Sequence, residues 1–409
     1  MTNRLALLAA VCCLISFGAL GATWYVDKGN TSGVEDGTTW GTAFVTVQEG
    51  IDAAGDGDEV WVAAATYDEG RAHSTGAVIM KEGVGLYGGF TGAETEREDR
   101  DWQANVTTLD GSTARGGAAA CHVVIGANDA VLDGFTIIGG NANGVYEYAN
   151  GGGMYNCFAA PAVANCAFVG NTAAACGGGM YNYHLAPTIT NCTFSGNSAR
   201  DGGGMYNHLC PASVTNCTFS DNSATDQGGA MANKACVAIV VAGCTFSSNS
   251  AQDGAGMHNS NHSSATLVNC TFDGNTAAGT GGGMTNRGGS NGTVDTCVFS
   301  SNTAPEGGGG MLNHSSSPKL TNCTFSGNSA TTGDGGGLCN VHSWPWLRAC
   351  VFSDNSASNG GGISNDDSSP LVMDCLFTGN TADQHGGGAY YGSTSWPTLG
   401  NCIFWANET

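Results

Sequence analysis

The chain has 409 residues, 66 of them Gly and 18 Cys, with only 11% charged residues and a formal net charge of −22. A chain so acidic and so poor in Lys and Arg lacks the electrostatic footprint that binding to nucleic acid or anionic lipid requires. Beyond its first 22 residues no stretch is apolar enough to cross a bilayer as a helix, so no transmembrane span is expected once they are removed.

Residues 1–22 read as a secretory signal peptide. Arg4 supplies a positive start, Leu5 to Leu20 is apolar, and Ala19-Leu20-Gly21 offers small residues for cleavage. The expected destination is secretion or the cell surface, at the outer membrane or beyond it. Residues 23–120 read as an N-terminal cap and first irregular coils. Within them Trp24 to Asp27 and Glu59 to Ala63 are strands, and Val47, Ile51 and Ala54 mark one face of a short helix. Val78 to Phe90 and Val123 to Ile138 are irregular coils, and the charged stretch Thr91 to Asn105 is expected to stand off the stack as a loop. Leu132-Asp133-Gly134-Phe135 reads as a repeat with Asp133 where later repeats have Cys. This first part is also the acidic one, with 17 of the 34 Asp and Glu between Thr23 and Ala120.

Residues 121–409 are repetitive, and regular from Gly151. Cys-x-Phe recurs at Cys166, Cys192, Cys217, Cys244, Cys270, Cys297, Cys323, Cys350, Cys375 and Cys402, at intervals of 25 to 27 residues. The apolar pieces are short, divided by Gly, Asn, Ser and Pro, and none has helical periodicity, which excludes a helical solenoid. The fold class expected is all-β: a parallel β-helix of about 26-residue coils, each strand pairing with its counterpart one coil on. An aliphatic residue stands three before every Cys (Val163, Ile189 and Val214 first), a spacing that breaks the strand period of two and demands a bend. Asn, Asp or Gly occupies the position just before the Cys, save at Thr296 and Ala349, as a left-handed backbone there favours.

Three residues after each Phe comes an Asn: Asn171, Asn197, Asn222, Asn249, Asn275, Asn302, Asn328, Asn355, Asn380 and Asn407. Their expected role is a structural ladder of stacked amides, and a second rank starts at Asn156 and Asn182. The ten repeat cysteines read as buried small hydrophobes, because parallel neighbours about 4.8 Å apart are too distant for a disulfide. Cys210 and Cys236, in a bend of adjacent coils, are the candidates for a surface bridge. His184, His208, His258, His262, His314 and His342 cluster near the second Asn rank without the spacing of a zinc site. Asp201, Asp253 and Asp334 could line a calcium edge but are not on successive coils; no cofactor is otherwise expected. Thr193, Thr218, Thr245 and Thr271 form an outward hydroxyl rank suited to ordered water or a sugar polymer, or simply to a strand surface.

Phe-x-x-Asn in every repeat, with a Gly-Gly-Gly-Met-x-Asn phrase between, resembles the repeats of the polymorphic outer membrane proteins and related bacterial right-handed parallel β-helix proteins. Trp24-Tyr25-Val26-Asp27, Gly55 to Ala63 and Tyr87-Gly88-Gly89-Phe90 are similar to the start of many exported proteins of the pectin-lyase-like superfamily. The resemblance implies an exported β-helix with an extracellular polysaccharide or a neighbouring cell surface as partner. It also implies, for an enzyme, acidic-sugar binding through calcium, clustered Asp and a basic residue; Arg200, Lys234, Arg287, Lys319 and Arg348 are too scattered to supply that base. The chain stops inside a repeat, at Asn401 to Thr409, which reads as truncation or a docking edge. A non-catalytic stalk, adhesin or carbohydrate-contacting module is the leading expectation. The alternative is a polysaccharide lyase or glycoside hydrolase with its site under the Thr91 to Asn105 loop or along the acidic bends.

Overall fold

A computed structural model describes residues 21–409, so all but the end of the expected leader lies outside the described residues. Short strands and one seven-residue helix are wound into a parallel β-solenoid with three long sheets of 14, 13 and 12 strands. One coil shows the plan: Met180–Tyr183, Thr188–Thr190 and Thr193–Ser195 each join a different long sheet, and Ser198–Asp201 joins a short fourth sheet that forms a ledge.

Stacking places like on like. Met180 pairs with Met205, Ile189 with Val214 and Phe194 with Phe219, so each of these core side chains meets the same or a similar side chain one coil away. The rings of Phe168, Phe194 and Phe219 stack 4.8 and 4.7 Å apart and within 4° of parallel. The bend before each Cys is left-handed throughout: Asn165, Asn191 and Asn216 have φ between 52° and 54°, and even Thr296 and Ala349 follow at 55° and 53°. Adjacent coils thus impose the bend on residues that would not choose it. At the glycine triplets the coils nearly touch, and a Cβ on Gly179 would lie 2.5 Å from Gly204 O and 2.9 Å from Phe194 Cδ1.

The cap follows the sequence reading closely. Strands run Thr23–Val26 and Glu59–Ala63 around the helix Val47–Ala53, whose start is fixed by a capping box between Thr46 and Glu49. Two expectations are corrected. Asp133 pairs with Ala164, while Thr136 and Ile137 pair with Ala167 and Phe168, so the early coil is aligned two residues away from the Cys-x-Phe reading. Gly134, at φ 82°, takes the left-handed place that Asn165 takes in the next coil. The Thr91 to Asn105 segment does not stand off: Arg100 Nη1 reaches back to the carbonyls of Gly88 and Asp133 at 2.8 and 3.2 Å and pins it to the sheet.

Candidate functional site

In the regular coils the polar side chains chiefly serve one another. Asn197 Nδ2 donates to Phe168 O at 2.9 Å and Asn222 Oδ1 at 3.0 Å, and that oxygen also accepts from Asn197 N at 3.1 Å. The same pattern runs through Asn249, Asn275, Asn302, Asn328, Asn355 and Asn380, all buried. The second rank from Asn156 to Asn182 to Asn207 is linked amide to amide at 2.8 Å. The amides of both ranks are engaged with one another along the stack, save Asn156 Oδ1 at the head of the second rank, which has no partner among the described residues.

Cys210 and Cys236 lie inside the solenoid, not at its surface, and both are free thiols. Cys210 N donates to Cys236 Sγ at 3.4 Å and Cys236 N to Ser263 Oγ at 2.9 Å, while in later coils Ser316, Ser343 and Ser368 accept the same bond. Their position in that rank explains them: each stands where later coils use serine to satisfy an inward N–H. The repeat cysteines behave alike, Cys192 N donating to Cys217 Sγ at 3.4 Å.

Asp201, Asp253 and Asp334 fall in one rank along the ledge, with Gln227, Thr280 and Gly307 intervening. Each is engaged: Asp201 with Arg200 at 2.8 Å, Asp253 with Arg287 at 3.3 Å and Asp334 with Asn359 at 2.9 Å. Among the described residues no group of three or more His, Cys, Asp or Glu is arranged to hold a metal ion. His258 is not a bend residue. It lies 1% exposed beneath the ledge, with no hydrogen-bond partner for either ring nitrogen among the described residues. Burial, helped by the charge of Arg287 and opposed by Asp253, brings its pKa down to about 4. The outward Thr rank is continuous from Thr193 to Thr271 and breaks at Val298.

A groove of mixed chemistry lies earlier, where the Thr91 to Asn105 segment folds over the outer face of the first sheet. A groove of about 450 Å³ is lined by Tyr87, Arg97, Arg100, Trp102, Asp133 and Asn165, among others. The Arg97 guanidinium sits 4.9 Å from the Tyr87 ring centre, and that of Arg100 5.3 Å from Tyr87 and 5.2 Å from Trp102. Arg97 is held by Glu59 at 2.5 Å, and Glu59 in turn by Trp61 Nε1 at 2.7 Å. Arg100 pairs with Asp133 at 2.8 Å, and Asn165 Nδ2 donates to the other Asp133 oxygen at 2.8 Å. Gly89, at φ 97°, makes the closure: a Cβ there would lie 2.7 Å from Trp102 Cα.

Burial, reinforced by the Glu59 charge, raises the Tyr87 pKa, so the phenol stays protonated beside Arg97. Glu59 and Asp133 are each bonded to a guanidinium and a second donor. The exposed Trp102 ring and the guanidinium donors on one wall suit a ligand with apolar C–H faces and many hydroxyls. Sequence reasoning named the segment but missed these residues. A signal was present: Arg97, Arg100 and Trp102 stand within six residues just after the Tyr87-Gly88-Gly89-Phe90 strand.

None of the curated protein sequences matches this chain. Among solved structures it is similar to the A-module of an Azotobacter vinelandii mannuronan C-5 epimerase, at 13% identity and a TM-score of 0.52, over 88% of this chain and 94% of that one. It is also similar to a rhamnogalacturonan lyase (10% identity, TM-score 0.31, 82% of each chain). A third similar structure is tailspike protein 3 of bacteriophage CBA120 (12% identity, TM-score 0.36, 87% of this chain and 58% of that one). At 13% identity the likeness to the epimerase module is one of fold. The sequence itself matches the family described as the right handed beta helix region over residues 101–280 and 269–408, and the chain belongs to that family.

Proposed function

We propose that the protein is an exported, non-catalytic β-helix module at the cell surface that contacts an extracellular polysaccharide through the Tyr87 to Trp102 groove. The observation that carries this is the groove itself, two guanidiniums packed on Tyr87 and Trp102. The fold shared with a module named for mannuronan C-5 epimerisation supports a polysaccharide partner. The repeats' resemblance to the polymorphic outer membrane proteins supports a surface location. A lyase or hydrolase is the second reading, favoured by the Tyr87 hydroxyl 3.3 Å from Arg97 Nη1 in the same groove. It needs a base with a free lone pair at that place, and the groove's carboxylates are tied up in ion pairs.

Incubation with a panel of plant, algal and bacterial polysaccharides separates the two. Retention of a polymer that Trp102→Ala weakens about tenfold, without released oligosaccharides in the mass spectrum, is the expected result. Unsaturated or hydrolysed products that vanish in Tyr87→Phe would establish the enzyme reading instead.

A further inference from the structure

A second cleft, sharing no lining residue with the groove, opens in the cap between the helix Val47–Ala53, the segment Glu69 to His73 and the stretch Ala77 to Lys81. Its volume of about 850 Å³ lies in the range of small-ligand sites. Ile51, Ile79 and Met80 supply an apolar wall. Two lining residues carry a buried polar atom with no hydrogen-bond partner among the described residues, Glu69 Oε2 and Arg71 Nε. The rest of the Arg71 guanidinium is fixed, Nη1 on Gly76 O at 3.1 Å and Nη2 on Tyr67 O and Asp110 O at 3.0 and 3.1 Å. Its Nε is therefore a positioned donor. Gln48 and Lys81, also in the wall, are already bonded, Gln48 to Ile79 and Asp52 and Lys81 to the Ala54 carbonyl.

We infer that this cleft binds a neutral saccharide. A buried acceptor and a buried donor left unmade are costly, and a ligand that answers both has to donate to a carboxylate and accept from a guanidinium. Sugar hydroxyls do both, and the C–H face of the ring matches the Ile51, Ile79 and Met80 wall. An anion meets Glu69 and Asp52, a cation meets Arg71 and Lys81, and the net charge of −22 opposes any polyanion. The inference does not rest on the groove, and failure of one site leaves the other intact.

Isothermal titration with gluco-, manno- and xylohexaose, and with hexagalacturonate and hexamannuronate as charged counterparts, tests it. At least one neutral hexaose is expected to bind at one site per chain. Glu69→Gln should weaken that binding about tenfold, and Ala72→Trp, at an exposed residue of the rim, should abolish it, both with unchanged circular dichroism. Trp102→Ala should leave it unchanged. Silence from every neutral hexaose at millimolar concentration, tighter binding of a uronate, or binding that survives both Glu69→Gln and Ala72→Trp would overturn the inference. Loss of binding in Trp102→Ala would overturn it too, by moving the saccharide to the groove.

Discussion

The regular coils after Gly151 and the irregular region before them solve opposite problems. In the coils, each buried amide finds its partner in its own copy one coil away: Asn222 in Asn249, Asn249 in Asn275. Repetition satisfies these groups and leaves them nothing to offer a ligand. In the cap and first coils no such copy exists, and Glu59, Arg97, Arg100 and Asp133 find partners from distant segments, with Glu69 and Arg71 left partly unanswered. The proposed recognition chemistry of this solenoid therefore lies where its repeat fails.

The contrast breaks most readily in the Phe stack. Phe272 lies between Phe246 and Phe299 at 4.6 and 4.7 Å, fully buried. Phe272→Ala is expected to cost about 3–5 kcal/mol in denaturant unfolding and to loosen the coils on both sides. A loss well under 1 kcal/mol would mean that the core is not a continuous stack.

His258 is a buried side chain of the coils that repetition does not serve, with neither ring nitrogen bonded among the described residues, and pH probes it. The unfolded histidine takes up a proton below about pH 6.5, whereas the folded one waits until about pH 4. Stability should therefore fall as pH drops through that window, by about 3 kcal/mol in total from this residue. His258→Leu should remove most of that slope in pH-dependent melting. A slope unchanged in the variant would place the proton uptake elsewhere.

The smallest stability effect belongs to the groove. Trp102 is 37% exposed, so Trp102→Ala should cost under about 1 kcal/mol of stability while weakening polymer retention. A large loss of stability would make Trp102 a structural anchor and weaken the case for contact.

What the sequence revealed follows the same division. Asn165, Cys166 and Phe168 were legible because ten copies display one spacing, and spacing alone defines a coil. Their hydrogen bonds follow from stacking like on like. The register of Leu132 to Phe135 was not legible, since Phe135 looks like a repeat phenylalanine and only pairing with the next coil shows Ile137 under Phe168. Nor was the packing of the Thr91 to Asn105 segment: its charges look solvated until Arg100 is seen to reach Asp133, 33 residues on. Cys210 and Cys236 look like bend residues, and their inward direction emerges only from the Ser263 to Ser368 rank that continues them.

Hydrogen–deuterium exchange of the whole protein, with and without a retained polysaccharide, tests the central claim most directly. Protection is predicted in residues 85–105 and 131–135, with neutral oligosaccharides adding protection at residues 46–54 and 69–81, and no change across the coils from residue 171 to 380. Protection spread along those coils, with the early segments unchanged, would contradict the account and make the repeats themselves the contact surface.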